Sequence, residues 1–188
     1  QAGFIVKHIG KQAHGCDYRL NGAQQAIRAA GLAGKHSWEK RIPEAYLQSP
    51  RSVRLRVLQG LMDTDGSASD GKSNAEFCST SATLAEQVQC LCRSLGWRAT
   101  LGPPTTPTFR YKGQKKNGRP RYRVNIRIGA GELPFRLSRK RQRVQRYRFT
   151  EDRHAIVSIE PSGVEECQCI AIDHSSQLYV TDDFIVTH

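Results

Sequence analysis

Residues 58 to 66 read Leu58-Gln59-Gly60-Leu61-Met62-Asp63-Thr64-Asp65-Gly66, an apolar helical turn that runs without a break into two carboxylates and a glycine. Upstream, Ser49 and Pro50 offer a helix start. Val53, Val57, Leu58 and Leu61 then recur at spacings of three and four, which predicts an amphipathic helix ending near Asp63. Gly60 falls inside that helix, where a glycine costs roughly 1 kcal/mol against alanine and is kept where a neighbouring backbone must come close. Asp65 is expected just past the helix, with Gly66 letting the chain turn. Carboxylates are the hard oxygen donors that Mg²⁺ prefers, and that ion activates water and stabilises the leaving oxygen in phosphodiester hydrolysis. Asp-x-Asp-Gly alone also occurs in calcium-like loops and capped turns, so the apolar lead-in decides between the readings.

The chain has 188 residues, enough for one large domain or one domain with a small appendage. No run approaches the roughly 18 apolar residues needed to span a membrane, so no membrane partner is expected. A net charge of +12 points to a polyanionic partner. Six cysteines, Cys16, Cys78, Cys90, Cys92, Cys167 and Cys169, lack a zinc-type Cys-x-x-Cys spacing. With no signal peptide in view they read as intracellular thiols, and a cytoplasmic location is expected. The first residue is Gln1 and the only methionine is Met62, so the sequence is expected to continue a longer polypeptide upstream.

The positive charge is concentrated. Between Arg110 and Arg148 stand fifteen Lys and Arg residues against Glu132 alone. Within this stretch Arg119, Arg121, Arg123 and Arg127 alternate with Tyr122, Val124, Ile126 and Ile128, a period of two that makes one strand face basic and the other apolar. The preceding Lys115-Lys116-Asn117-Gly118 has hairpin chemistry, and Thr108 to Lys112, with Arg110, supplies an expected partner strand. Such a ribbon over 108–128 can enter a major groove and place arginines on guanine edges or phosphates; a merely solvated basic face is the alternative, outweighed by so one-sided a ribbon next to a metal-acid motif.

Elsewhere, strands are expected at residues 3 to 9 and 17 to 20, and a helix capped by Asn21 at 22 to 30. Ala75 to Ser79 and Trp97 to Leu101 read as strands around a helix at 81 to 95, whose apolar residues Leu84, Val88, Leu91 and Leu95 are closed by Gly96. Leu133 to Gln145 reads as a basic helix carrying Arg139 and Lys140, with Pro134 in its first turn.

The nine residues from Leu58, together with Lys40-Arg41-Ile42-Pro43, Ser79-Thr80-Ser81, Leu95-Gly96 and Pro134-Phe135, resemble the LAGLIDADG homing endonucleases, specifically the second half of the endonuclease domain found inside inteins. The resemblance covers roughly residues 15 to 145. It implies an α+β fold, with an αββαββα endonuclease half over residues 1–150. It also implies Asp65 as the metal-binding acid, Mg²⁺ as cofactor, double-stranded DNA as partner, and Gly60 as the contact of two crossed motif helices. These enzymes carry two motifs per active unit. The second would belong to a complementary N-terminal portion.

From Arg153 the composition shifts to short apolar segments, expected as strands at Ala155 to Ile159, Cys167 to Ile172, Leu178 to Val180 and Phe184 to Thr187. Cys169-Ile170-Ala171-Ile172-Asp173 with Leu178-Tyr179-Val180, and Phe184-Ile185-Val186-Thr187-His188, resemble the terminal blocks of inteins. The implied fold of 151–188 is the all-β C-terminal strands of a Hint splicing domain. By that resemblance His188 is the penultimate histidine, which polarises the terminal peptide bond while a following Asn cyclises. One minor intein class places a nucleophilic cysteine where Cys169 stands and a threonine where Thr187 stands; a buried structural or redox-sensitive thiol is the equal alternative. The implied function is the C-terminal part of an intein, needing no cofactor for splicing, with a host extein protein as partner. The runner-up is a free-standing homing endonuclease or DNA-binding protein whose tail only resembles an intein.

Overall fold

The computed structural model describes residues 5–12, 15–71, 73–128, 131–144 and 156–187. The motif segment forms helix α3 (Arg51–Asp65), preceded by strands β1 (Ile5–Gln12) and β2 (Gly15–Asn21), helix α1 (Gln24–Ala29) and the short helix α2 (Glu44–Leu47). Leu58 is buried as expected, with Val57 and Leu61 half-buried beside it, and Leu55 and Met62, outside the expected set, complete the buried stripe of α3. The helix also runs two residues further than expected and ends on Asp65 itself. Gly66 follows in extended conformation, and a Cβ there would stand 2.6 Å from the Met62 carbonyl oxygen. Only glycine fits that close approach.

Beyond Gly66 lie β3 (Gly66–Ala68), β4 (Asn74–Ser79), α4 (Ala82–Ser94), β5 (Arg98–Leu101), β6 (Thr108–Tyr111), β7 (Gln114–Asn117), β8 (Tyr122–Arg127) and α5 (Ser138–Arg141). With the β6–β7 hairpin set aside, α3 to α5 run helix, strand, strand, helix, strand, strand, helix, the expected α+β order. The sheet is antiparallel in the order β3-β4-β8-β5. Ser81 caps α4 by accepting from the Leu84 amide at 3.2 Å. The helix closes in a Schellman motif, with Gly96 at φ +82° and the Trp97 amide donating to the Cys92 carbonyl at 2.9 Å.

One core lies between these helices and one sheet face. It is built from Leu55, Leu58, Met62, Phe77, Val88, Leu91, Val124 and Ile126, and Ile128 extends it past the end of β8. Each such side chain contributes about 1.5–3 kcal/mol of burial free energy. The alternation read in 122–128 is therefore correct in its faces but wrong in its partner. β8 pairs with β4 and β5, while Thr108–Tyr111 pairs with Gln114–Asn117 around a turn at Lys112-Gly113. The expected helix at 133 to 145 shrinks to the four residues of α5, because 132–137 is strapped along α3 by its main chain; residue 145 lies outside the described residues. The Asn21 cap is not formed, since α1 starts after Ala23 without a side-chain cap.

In the tail, β9 (Tyr179–Val180) pairs antiparallel with β10 (Val186–Thr187). The expected strands at 156–159 and 167–172 are not formed, and Ala155 lies outside the described residues. Of the strands expected after Arg153, one two-residue ladder forms among the described residues. No helix among them is long and apolar enough to cross a membrane.

Candidate metal and nucleic-acid interface

The two motif carboxylates have different surroundings. Asp63 faces the strap: its Oδ1 and Oδ2 both accept from the Arg136 amide at 3.1 Å, and Oδ1 also accepts from the Leu137 amide at 3.2 Å. Asp65, the last residue of α3, is exposed. In return, Lys140 reaches back to the end of α3, donating from Nζ to the carbonyls of Met62 at 2.8 Å, Asp63 at 2.8 Å and Gly66 at 2.6 Å. An ammonium has three donors, and all three are used here. Its charge also meets the partial negative charge of the helix C-terminus. Burial, then the neighbouring Arg139, holds the Lys140 ammonium below its ordinary range, opposed by the carboxylates of Asp63 and Asp65. Further back along α3, Arg51 pairs with Glu132 at 2.6 Å and Gln59 donates to the Leu133 carbonyl at 2.8 Å.

These contacts reassign one residue. Lys140, expected on the DNA side, is buried and spent on the motif, whereas Arg139 beside it is exposed. Arg139 lines a cleft of about 470 Å³ with Thr64, Gly66, Ser67 and Arg143. Among the described residues no three His, Cys, Asp or Glu side chains cluster as a metal site. A single exposed carboxylate suits Mg²⁺, which keeps much of its water and is held by one or two carboxylates with substrate phosphates. Asp65, as an exposed carboxylate, has the donor chemistry that such an ion takes. Gly60 is exposed, with nothing within 4 Å of the position a Cβ would take, so no neighbour within the described residues uses the space it leaves.

The sheet face away from the core is polar, and its residues fall into rows fixed by the register. Ser67, Glu76, Asn125 and Thr100 lie across one row; Asn74, Arg127 and Arg98 make a second; Cys78 and Arg123 a third. The first two rows line a trough of about 610 Å³. Arg123 Nε stands 3.7 Å from Glu76 Oε1, while Arg98 and Arg127 are also engaged within the chain. Arg123 and Arg127 thus share a face as expected. Arg121 donates to Thr105 Oγ1 at 3.1 Å, and the Arg119 guanidinium lies 3.4 Å from the Trp38 ring centroid, so those two are held off the trough. Arg110 and Lys115 are directly opposed on the separate hairpin, with Lys112 at its turn and Lys116 opposite Phe109. Ser67, Asn74, Glu76, Arg98, Thr100 and Asn125, which also line the trough, were not singled out from sequence; they are the polar half of the alternation in β3, β4, β5 and β8.

Cys169 in the tail is exposed and outside any strand, and Thr187 pairs with Tyr179. His188 lies outside the described residues. His174 makes a local turn: the Ser176 amide donates to its Nδ1 at 3.2 Å. Asp183 forms an ion pair with Arg93 of α4.

Residues 52–131 match the LAGLIDADG-like domain family, which supports a homing-endonuclease-type domain over that span. Such a domain implies DNA as partner, and such endonucleases are generally dependent on a divalent metal. The chain is also 29% identical over 170 residues to the replicative DNA helicase DnaB of Mycobacterium intracellulare. That match takes in 88% of this chain but 27% of the relative's length.

Proposed function

We propose that this chain is the C-terminal part of an intein, joining half of a site-specific DNA endonuclease to a C-terminal splicing segment. The observation that carries the endonuclease half is the division of labour in the motif: Asp63 is bound to main-chain amides, and Asp65 is left exposed one residue before the first sheet strand. Asp65 would hold Mg²⁺, which when bound supplies an activated water and charge stabilisation for phosphodiester hydrolysis. The chain's own work is to hold that carboxylate still, through Lys140 and Asp63, and to lay the duplex along the polar sheet face. Glu76 there offers an acceptor for cytosine amino groups, and Arg123 and Arg127 offer donors for guanine edges or phosphates. A second motif helix, from the complementary N-terminal portion, would seat on Gly60 and bring the second acid.

The relative supports the splicing half. An endonuclease-type module inside a polypeptide named for helicase activity is what an intein inserted in a helicase would produce, and a free-standing nuclease would not. On this reading the host extein is a replicative helicase and the setting is the cytoplasm. His188 would polarise the final peptide bond for cyclisation of a following Asn, with Thr187 and Cys169 beside it in the chemistry.

The test of the nuclease reading is Asp65→Asn in the protein reassembled with its N-terminal portion. Mg²⁺-dependent cleavage should disappear while duplex binding persists; cleavage at the wild-type rate would refute the assignment. For Cys169, hydroxylamine trapping of the upstream thioester should vanish in Cys169→Ala if it is the first nucleophile, and trapping that persists undiminished would rule that role out.

A further inference from the structure

Between β5 and β8 the chain leaves the four-stranded sheet and builds β6–β7, which pairs only with itself among the described strands. Its loop is Lys112-Gly113, with φ of 49° and 77°. Two consecutive left-handed residues make the type I′ turn that matches strand twist, so the ribbon's register is fixed by its own turn. Cross-strand partners are Phe109 with Lys116, Arg110 with Lys115, and Tyr111 with Gln114. The period of two therefore separates the ribbon into a face bearing Phe109, Tyr111 and Lys116 and an opposite face bearing Arg110 and Lys115.

The aromatic face is open. Phe109 is 50% exposed and Tyr111 52%. The ammonium groups of Lys116 and Lys112 lie 5.0 and 5.6 Å from the Tyr111 ring centroid, cations gathered around an aromatic ring. The segment from Thr108 to Asn117 contains no acid. A partner for this face must be flat, apolar across its plane and anionic at its edge. An unstacked nucleobase on its phosphate meets all three needs, since every base has a π-face and the backbone supplies the charge. Bases inside an intact duplex have their faces covered by neighbours, so only a base out of the stack can use the rings.

We propose that the Phe109–Tyr111 face binds unstacked bases beside the duplex footprint, while Arg110 and Lys115 hold phosphates on the other side of the ribbon. This rests on the DNA-binding reading. The test titrates the full chain, at several salt concentrations, against a labelled mixed-sequence duplex and against the same duplex interrupted by a short run of unpaired thymines. The wild-type chain should prefer the interrupted probe by about tenfold. Phe109→Ala and Tyr111→Ala should each remove most of that preference. Affinity for the intact duplex should stay unchanged in both, which also shows that they fold. Tyr111→Trp should keep the preference and Tyr111→Leu should lose it. Arg110→Gln with Lys115→Gln should instead flatten the salt dependence on both probes. Equal affinity of the wild-type chain for the two probes would overturn the inference. So would a preference that survives the alanine changes, or one that Tyr111→Leu retains, which would mark apolar contact without ring stacking. Failure to bind either probe would overturn the DNA reading itself.

Discussion

β-branched residues meet opposite fates in two regions of this molecule. In and just after β8, Val124, Ile126 and Ile128 are 0%, 1% and 0% exposed, whereas in the tail Val157, Ile159 and Val164 are 96%, 85% and 103% exposed. Residue type is the same in both. What differs is that β8 lies between β4 and β5 with α3 and α4 packed over the apolar side, while 156–172 has no ladder partner within the described residues. Burial is a property of the assembled elements: the same residue types stay exposed where no described element packs over them.

The sharpest way to break this comparison is to disable each region in turn in the reassembled protein. Asp65→Asn should lower DNA cleavage by about three orders of magnitude or more, since a lost metal ligand forfeits several kcal/mol of transition-state stabilisation, and should leave C-terminal peptide cleavage intact. His188→Ala, with Asn supplied after it, should do the reverse. Coupled loss in either variant would show that the regions are one functional unit. Next in size is stability: Phe77→Ala should cost about 3–5 kcal/mol in denaturant unfolding, and Val157→Ala less than about 0.5 kcal/mol. A large effect at Val157 would mean the tail is packed in solution. Adding the N-terminal portion should then raise hydrogen-exchange protection across 156–172 and leave β4 and β8, already protected, unchanged.

The smallest expected effect concerns Lys140. Burial holds its ammonium below the ordinary value of 10.5, so the native chain gives up that proton at a lower pH than the unfolded chain. Over the window just beneath 10.5 the unfolded state binds more protons, and unfolding free energy should rise with pH in wild type relative to Lys140→Met. A difference between the two that is flat with pH would place the group in water.

The motif helix, α4 with its closing Gly96 and the two faces of β8 were all legible in the sequence because each is written in local pattern. Three things were not. The Asn117-Gly118 signal outweighed Lys112-Gly113, because lysine at a positive φ has no sequence mark, and this misassigned the partner of β8. The basic run after Leu133 suggested a long helix, since nothing in it announces that its amides would be taken by Asp63. Lys140 stands between Arg139 and Arg141 and is indistinguishable from them by composition; only the fold turns it inward. In the candidate site Asp65 was singled out by its motif, but the trough is assembled from four separate strands whose register no single segment announces.

The clamp on the motif also has a consequence for the order in which the protein comes into being. Asp63 is joined to partners 73 and 74 residues away, and Lys140 to carbonyls 74 to 78 residues behind it. During synthesis the helix and the early strands emerge and can form first, yet the end that carries Asp65 stays untethered until the segment around residue 140 has left the ribosome. Contacts of such long sequence separation close late. The end of the motif helix is thus fixed among the last events of folding, and an incomplete chain stopped short of Lys140 holds the motif without the lysine that clamps it.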